Sequence, residues 1–141
     1  MVNGSIVDGY SLVFTMLQYE GGKQRRALVS TMTEDEISEM LLPVDQLTRF
    51  ANAFTNAGRI AILYALAKGP LTSAELSTQT GLQGGQLYHH LRELIHSGMV
   101  VSEERNSYEL SPVAGKPAFL GLNLLAKGFY HAAKAETTGD D

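Results

Sequence analysis

At 141 residues the chain is long enough for one domain with a real core and too short to expect two independent ones. With 44% hydrophobic and 18% charged residues it reads as globular rather than disordered, and the lack of cysteine excludes disulfides and thiolate metal sites. The formal net charge of -4 is awkward for a nucleic-acid partner, because phosphate neutralisation by Lys and Arg normally dominates such binding.

The longest apolar runs are broken by Gly121, Asn123 or Lys127. They fall short of the roughly 18 to 20 residues that span a bilayer. Met1 to Tyr10 shows no basic start ahead of an apolar core, so a cytoplasmic protein with no membrane partner is expected.

Residues 10–19 allow two readings. Ile6, Tyr10, Val13 and Leu17 lie near helical spacing, whereas the Glu20-Gly21-Gly22-Lys23 turn offers a strand pairing with Gln24 to Met32. The Gly-Gly pair and the Val, Thr, Phe and Tyr content favour the hairpin. Lys23, Arg25 and Arg26 form a small basic cluster, most simply a solvated turn. Thr33 with Glu36 has the form of a capping box and opens a short helix over 34–42, which Pro43 should end. A further helix is expected from Val44 to Thr55, with Val44, Leu47, Phe50, Ala51 and Phe54 on one face. The next, Ala57 to Ala67, is expected to carry Ile60, Leu63, Tyr64 and Leu66 into the core.

Thr72 to Leu110 is the most informative stretch. Thr72 and Glu75 form a second capping-box pattern, and the helix they open, marked by Ala74 and Leu76, stops at Gly81. A second helix follows at once. In it Leu87, Leu91, Leu94 and Ile95 fall on one face, and Gly98 ends it. Met99, Val100 and Val101 are a short β-rich run, Arg105-Asn106-Ser107 is a tight turn, and Tyr108 to Leu110 run back. Two helices, a turn and a small hairpin describe a winged helix-turn-helix. The alternative from the same spacing is an αα-hairpin beside a surface hairpin with no binding role.

Past the hairpin, Pro112 and Gly115 mark a loop, and Pro117 suits the first turn of a last helix over 118–133. Phe119, Leu120, Leu122, Leu124, Leu125, Phe129 and Tyr130 make that helix apolar over most of its circumference. One domain of this size covers one such face, so the excess predicts a homodimer interface, against a helix lying in a groove of its own domain. The fold class is therefore mainly α with a small β wing, an extra N-terminal segment with a possible β-hairpin, and a C-terminal dimerisation helix. The expected divisions are 1–43, 44–115, 116–135 and a frayed tail over 136–141.

From Phe54 to Leu110 the chain resembles the ArsR-type winged-helix repressors. The resemblance rests on Asn56-Ala57-Gly58-Arg59-Ile60-Ala61-Ile62-Leu63, Gly69-Pro70-Leu71-Thr72, Glu75-Leu76, Gly81-Leu82, His90-Leu91, Leu94 and Gly98-Met99-Val100. It implies a homodimeric, sequence-specific transcriptional regulator of double-stranded DNA, with the helix over 84–97 in the major groove and the wing over 99–111 on the backbone. The alternative is a winged-helix protein-interaction module that has lost DNA binding. The resemblance also implies dimer contacts at Leu47, Phe50, Leu120, Leu124 and Leu125, and a structural Arg59 and a packed, hydrogen-bonded His90.

On a helical wheel Gly85, His89, Arg92 and His96 lie opposite the leucines, flanked by Gln86 and Tyr88. With Arg105 in the wing, these are the candidate DNA contacts, since Gln can bond adenine bidentately and His and Tyr can donate or stack. The basic cluster near Lys23 could add a phosphate contact if it lies near the wing. Gln83, Gly84 and Gly85 depart from the family's Ser-led helix start. Two glycines weaken that start by about 1 kcal/mol each, yet let the backbone approach a phosphate. Thr72 to Ser111 holds only Arg92 and Arg105 against Glu75, Glu93, Glu103, Glu104 and Glu109, which predicts modest affinity with little non-specific binding. No metal or other cofactor is expected, because the last helix offers only His131 as a ligand. No nucleophile-base pair, phosphate loop or carboxylate dyad has a recognisable context, so no enzyme is expected, and no effector is specified.

Overall fold

A computed structural model describes Gly9 and residues 11–138, with side chains through Lys134. Ile6 and Tyr10 of the helical reading, most of the segment read for a leader, and residues 139–141 of the tail lie outside the described residues. The chain forms two units, Met1–Val44 and Asp45–Asp141.

In the first unit the hairpin reading holds. Strand β1 (Ser11–Glu20) pairs antiparallel with β2 (Lys23–Thr33), and Gly21 and Gly22 make the turn with both φ angles positive, at 56° and 73°. That geometry matches the right-handed twist of the strands it joins. Leu12 opposes Met32 and Met16 opposes Leu28 on one face, while Val13 opposes Thr31 and Thr15 opposes Val29 on the other. Arg25 Nε pairs with Glu20 Oε2 at 3.1 Å across the turn, so one member of the basic cluster is already engaged.

Thr33 ends β2 and also caps α1 (Glu34–Glu39). Its backbone N–H donates to Glu36 Oε2 at 2.8 Å, and the Glu36 N–H donates back to Thr33 Oγ1 at 3.4 Å. The helix stops at Glu39, short of the expected Leu42. Leu42 precedes Pro43, whose ring disfavours helical backbone in its neighbour, and no basic residue offsets the carbonyl end.

In the second unit α2 (Val44–Asn52) also ends earlier than the expected Thr55. The physical reason is Asn56, which must adopt extended backbone to cap α3 (Ala57–Leu66); its Oδ1 accepts from the Gly58 N–H at 2.8 Å and the Arg59 N–H at 3.3 Å. Helix α4 (Ser73–Thr80) carries the second capping box. Thr72 N–H donates to Glu75 Oε2 at 2.7 Å, and this bond, with a second from the Thr72 hydroxyl, holds the Glu75 carboxyl below its ordinary range. Gly81 closes α4 in the left-handed conformation.

Helix α5 (Gly84–His96) follows, then β3 (Val100–Val101) and β4 (Glu109–Leu110), which pair antiparallel as the wing. The Met99 N–H donates to Leu94 O at 3.0 Å across Gly98, satisfying a carbonyl of the last turn of α5. Helix α6 (Gly115–Thr138) begins before the expected Ala118 and runs three residues into the stretch read as frayed.

The core is built by Ile62, Leu63 and Leu66 of α3, Leu76 of α4, Leu87, Leu91 and Leu94 of α5, Met99, Val100 and Leu110 of the wing, and Phe119 of α6. Three expected core positions are corrected. Ile60 is only half-buried and lies outside the core cluster, because it sits roughly 160° around α3 from Ile62 at 100° per residue. Ile95 is exposed because it sits on the edge of the α5 apolar stripe, roughly 80° from Leu87 at 100° per residue. Tyr64 is exposed and Ile62 takes its place in the core, since Tyr64 lies on the flank of α3 that meets α6. There its hydroxyl donates to Asn123 Oδ1 at 2.7 Å and its ring meets Phe119 edge-on at 5.2 Å.

Gly115 opens α6 against the backbone of the segment leading into β3, where any Cβ would collide with the Met99 carbonyl oxygen. Gly115→Ala is expected to cost about 1–3 kcal/mol in urea unfolding, as an overpacked site does. Gly121→Ala, whose Cβ would meet nothing within 4 Å in the same helix, is expected to stabilise by about 0.5–1 kcal/mol.

Candidate nucleic-acid interface

The outward face of α5 follows from what its inward face buries. With Leu87, Leu91 and Leu94 in the core, Gly85, Gln86, Tyr88, His89, Arg92 and His96 are all exposed. Gly85, Tyr88, His89 and Arg92 line one shallow depression. His96 lies elsewhere, in a small cleft with Arg49, Arg59 and Glu93. Arg105 is exposed in the wing turn. The structure therefore brings four of the seven expected contacts onto one surface patch and assigns His96 a different neighbourhood.

The start of α5 explains one of its glycines. Gln83 is the N-cap residue but its side chain makes no capping bond, and Gly84 takes a φ of 52°, a left-handed conformation that disfavours any side chain. The first turn of α5 thus has no side-chain cap, and of its N–H groups that of Gln86 donates to the Gln83 carbonyl at 3.2 Å. Gly85 shows no positive φ and has open space where a Cβ would stand.

The wing is fixed to the helix-turn-helix by bonds that sequence reasoning did not find. Leu71 and Tyr108 exchange backbone hydrogen bonds of 2.9 Å each in an isolated antiparallel bridge, which ties the segment before α4 to the wing. Asn106, at the wing turn with φ 58°, accepts from the Ser73 hydroxyl at 2.6 Å and the Ser73 N–H at 3.3 Å through Oδ1. The signal for the turn was legible in Asn106. Its second role depends on a partner 33 residues away.

His90 is buried between α5 and the first turn of α3, and a Cβ on Gly58 would stand 2.9 Å from its Nε2. The expected packing role holds, but the expected hydrogen bonding does not, since its Nδ1 is buried with no partner. Burial, then the Arg59 guanidinium, then His89 push its pKa below 6.5. Arg59 does join the helix ends as expected: its Nη2 donates to Asn52 Oδ1 at 3.3 Å and to Thr55 Oγ1 at 3.0 Å.

The proposed dimer residues Leu47, Phe50, Leu120, Leu124 and Leu125 are all exposed in the single chain, Leu124 and Leu125 at 73% and 70%. Phe129 and Tyr130 continue that surface along α6. Among the described residues no group of three or more His, Asp or Glu is placed to hold a metal ion, and no helix is long and apolar enough to cross a membrane.

Because His90 is neutral in the fold below the pH at which a free imidazole protonates, the unfolded chain takes up the proton first. Its contribution to stability is full above about pH 6.5 and is lost as pH falls from there toward the lowered folded value. The urea midpoint is expected to fall across that window, and His90→Gln is expected to flatten that part of the profile.

Residues 56–102 match the family model described as bacterial regulatory protein, arsR family. Solved structures that share the fold include the following three. The transcriptional repressor BigR from Xylella fastidiosa is 18% identical, with 67% of this chain and 96% of that chain covered and a TM-score of 0.54. The homodimeric winged helix-turn-helix DNA-binding domain of a possible ArsR-family transcriptional regulator from Mycobacterium bovis is 20% identical, covering 72% and 93%, with a TM-score of 0.57. HlyU from Vibrio cholerae is 28% identical, covering 57% and 91%, with a TM-score of 0.50. No curated protein matches the chain.

Proposed function

We propose that this chain, whose residues 56–102 form an ArsR-type winged helix-turn-helix, is a cytoplasmic transcriptional regulator that binds specific double-stranded DNA as a homodimer. The observation that carries the reading is the exposed face of α5, where Gly85, Tyr88, His89 and Arg92 share one depression behind an uncapped helix start. In this reading α5 enters the major groove and Gln86 and His89 meet base edges. Tyr88 and Arg92 flank them, His96 lies at the far end of the helix, and Arg105 carries the wing onto the backbone. The exposed leucines of α6, with Leu47 and Phe50 of α2, supply the contact with a second copy.

The charge balance favours one competing reading. Five glutamates against two arginines between Thr72 and Ser111 suit a protein partner better than a polyanion. A gel shift with promoter DNA from the protein's own locus, titrated with salt, separates the two. Sequence-selective retardation with a shallow salt slope supports the regulator, and none at low salt leaves the interaction module.

Gln86→Ala and His89→Ala are expected to relax sequence preference by about 1–3 kcal/mol each, while Arg105→Ala weakens specific and random DNA alike. Equal losses on both DNAs from all three would show that α5 does not read bases. Leu124→Glu is expected to convert a dimer to a monomer in light scattering, because the interface would bury an unpaired charge. A wild-type monomer at micromolar concentration would remove the dimer.

A further inference from the structure

Arg59 is held in a place that lacks its counter-charge. It is only 9% exposed, its Nε is buried without a hydrogen-bond partner, and its Nη2 donates to two neutral oxygens, those of Asn52 and Thr55. Among the described residues no carboxylate lies within ion-pair distance of it. It also stands in the first turn of α3, where the helix dipole is positive and a cation is disfavoured. Burying a charge is costly unless it is paired, so the position calls for negative charge from somewhere.

The space for that charge is present. Arg59 lines a cleft of about 40 Å³ between α2, α3 and α5, together with Arg49, Asn52, Glu93, His96 and Ser97. A single water needs roughly 10–15 Å³ on this measure, so the cleft has room for an ion of a few oxygen atoms. Its walls hold four donor groups, two guanidiniums, the Asn52 amide and the His96 imidazole, while the Ser97 hydroxyl donates to the Leu94 carbonyl at 2.9 Å. Guanidinium forks match the spacing of oxyanion oxygens. Arg49 is exposed and held only by a long 3.7 Å contact to Asp45, so it is free to turn inward. Glu93 is the one acidic wall and opposes an anion.

We propose that this cleft is a binding site for a small oxyanion of the phosphate class, anchored by Arg59 and closed over by Arg49, with Asn52 and His96 as further donors, Ser97 as part of the wall and Glu93 limiting its affinity. Two of these residues, His96 and Ser97, are the last of α5 and its C-cap, so the bound ion ties the end of that helix to α2 and α3. The site does not depend on DNA binding, and its test uses none.

The test is thermal unfolding of the full chain at pH 7.5 in inorganic phosphate against chloride of equal ionic strength, with phosphate-induced shifts followed in ¹H–¹⁵N spectra. The expected result is a saturable rise in Tm of several degrees, with shifts centred on Asn52, Arg59, Glu93 and Ser97. Glu93→Gln should lower the half-saturating phosphate severalfold, and Arg49→Gln should raise it about tenfold, as loss of a charged contact does. Arg59→Gln should abolish the response, and if it does not fold, the Arg49 and Glu93 variants decide. Equal Tm in the two salts overturns the site. So does a phosphate effect that Arg49→Gln and Glu93→Gln leave unchanged, since that is general salt stabilisation. A Glu93→Gln chain that is less stable in chloride, from a wild type that ignores phosphate, makes Glu93 the internal counter-ion and equally removes the proposal.

Discussion

Leu87, Leu91 and Leu94 on α5 pack into a cluster with Ile62, Leu63 and Leu66 of α3 and Leu76 of α4, and the rest of the winged unit depends on that contact. A fully buried leucine contributes about 1.5–3 kcal/mol, so this ridge outweighs every hydrogen bond around it. It also fixes the rotation of α5 about its axis. Once the leucines point inward, the residues between them have nowhere to go but outward. The exposed face of α5 is thus a by-product of hydrophobic burial, and its identity is free to vary without cost to the fold.

Features decided within a few residues were legible in the sequence. Both capping boxes, the Gly81 stop and the Gly21-Gly22 turn sit where the residues place them, because each is a local backbone requirement met by a neighbouring side chain. Helix lengths were less legible. The ends of α1 and α2 are set by competition, from Pro43 in one case and from the cap that Asn56 owes to α3 in the other. Burial was legible for the centre of each stripe and not for its edge, as Ile95 shows. On α3 Leu63 and Leu66 are core residues as expected, but Ile62 was missed and Tyr64 misplaced, because Tyr64 looks apolar in a list but meets α6 at one side and water at the other. The site was legible as a face of α5; the Arg59 cleft and the Asn106 bonds were not, since their partners come from distant parts of the chain.

Charge divides the winged unit unevenly. The wing carries Glu103, Glu104 and Glu109 around a single arginine, while Arg49 and Arg59 sit by the C-terminal end of α5 beside Glu93. The cations nearest one another are therefore not on the face that α5 turns outward. A surface arranged this way relies on specific hydrogen bonds more than on a field, and long-range attraction to a polyanion contributes little.

The wing is commonly the loosest part of such a fold, but here its tip is also a structural element of α4. Asn106 bonds the first residue of that helix, and Tyr108 pairs with Leu71 just ahead of it. Lifting the tip away would strip two polar groups of Ser73 at the helix start. The wing and the helix-turn-helix should consequently open as a single cooperative unit, and slow amide exchange would extend from α4 through Tyr108 instead of ending where the hairpin begins.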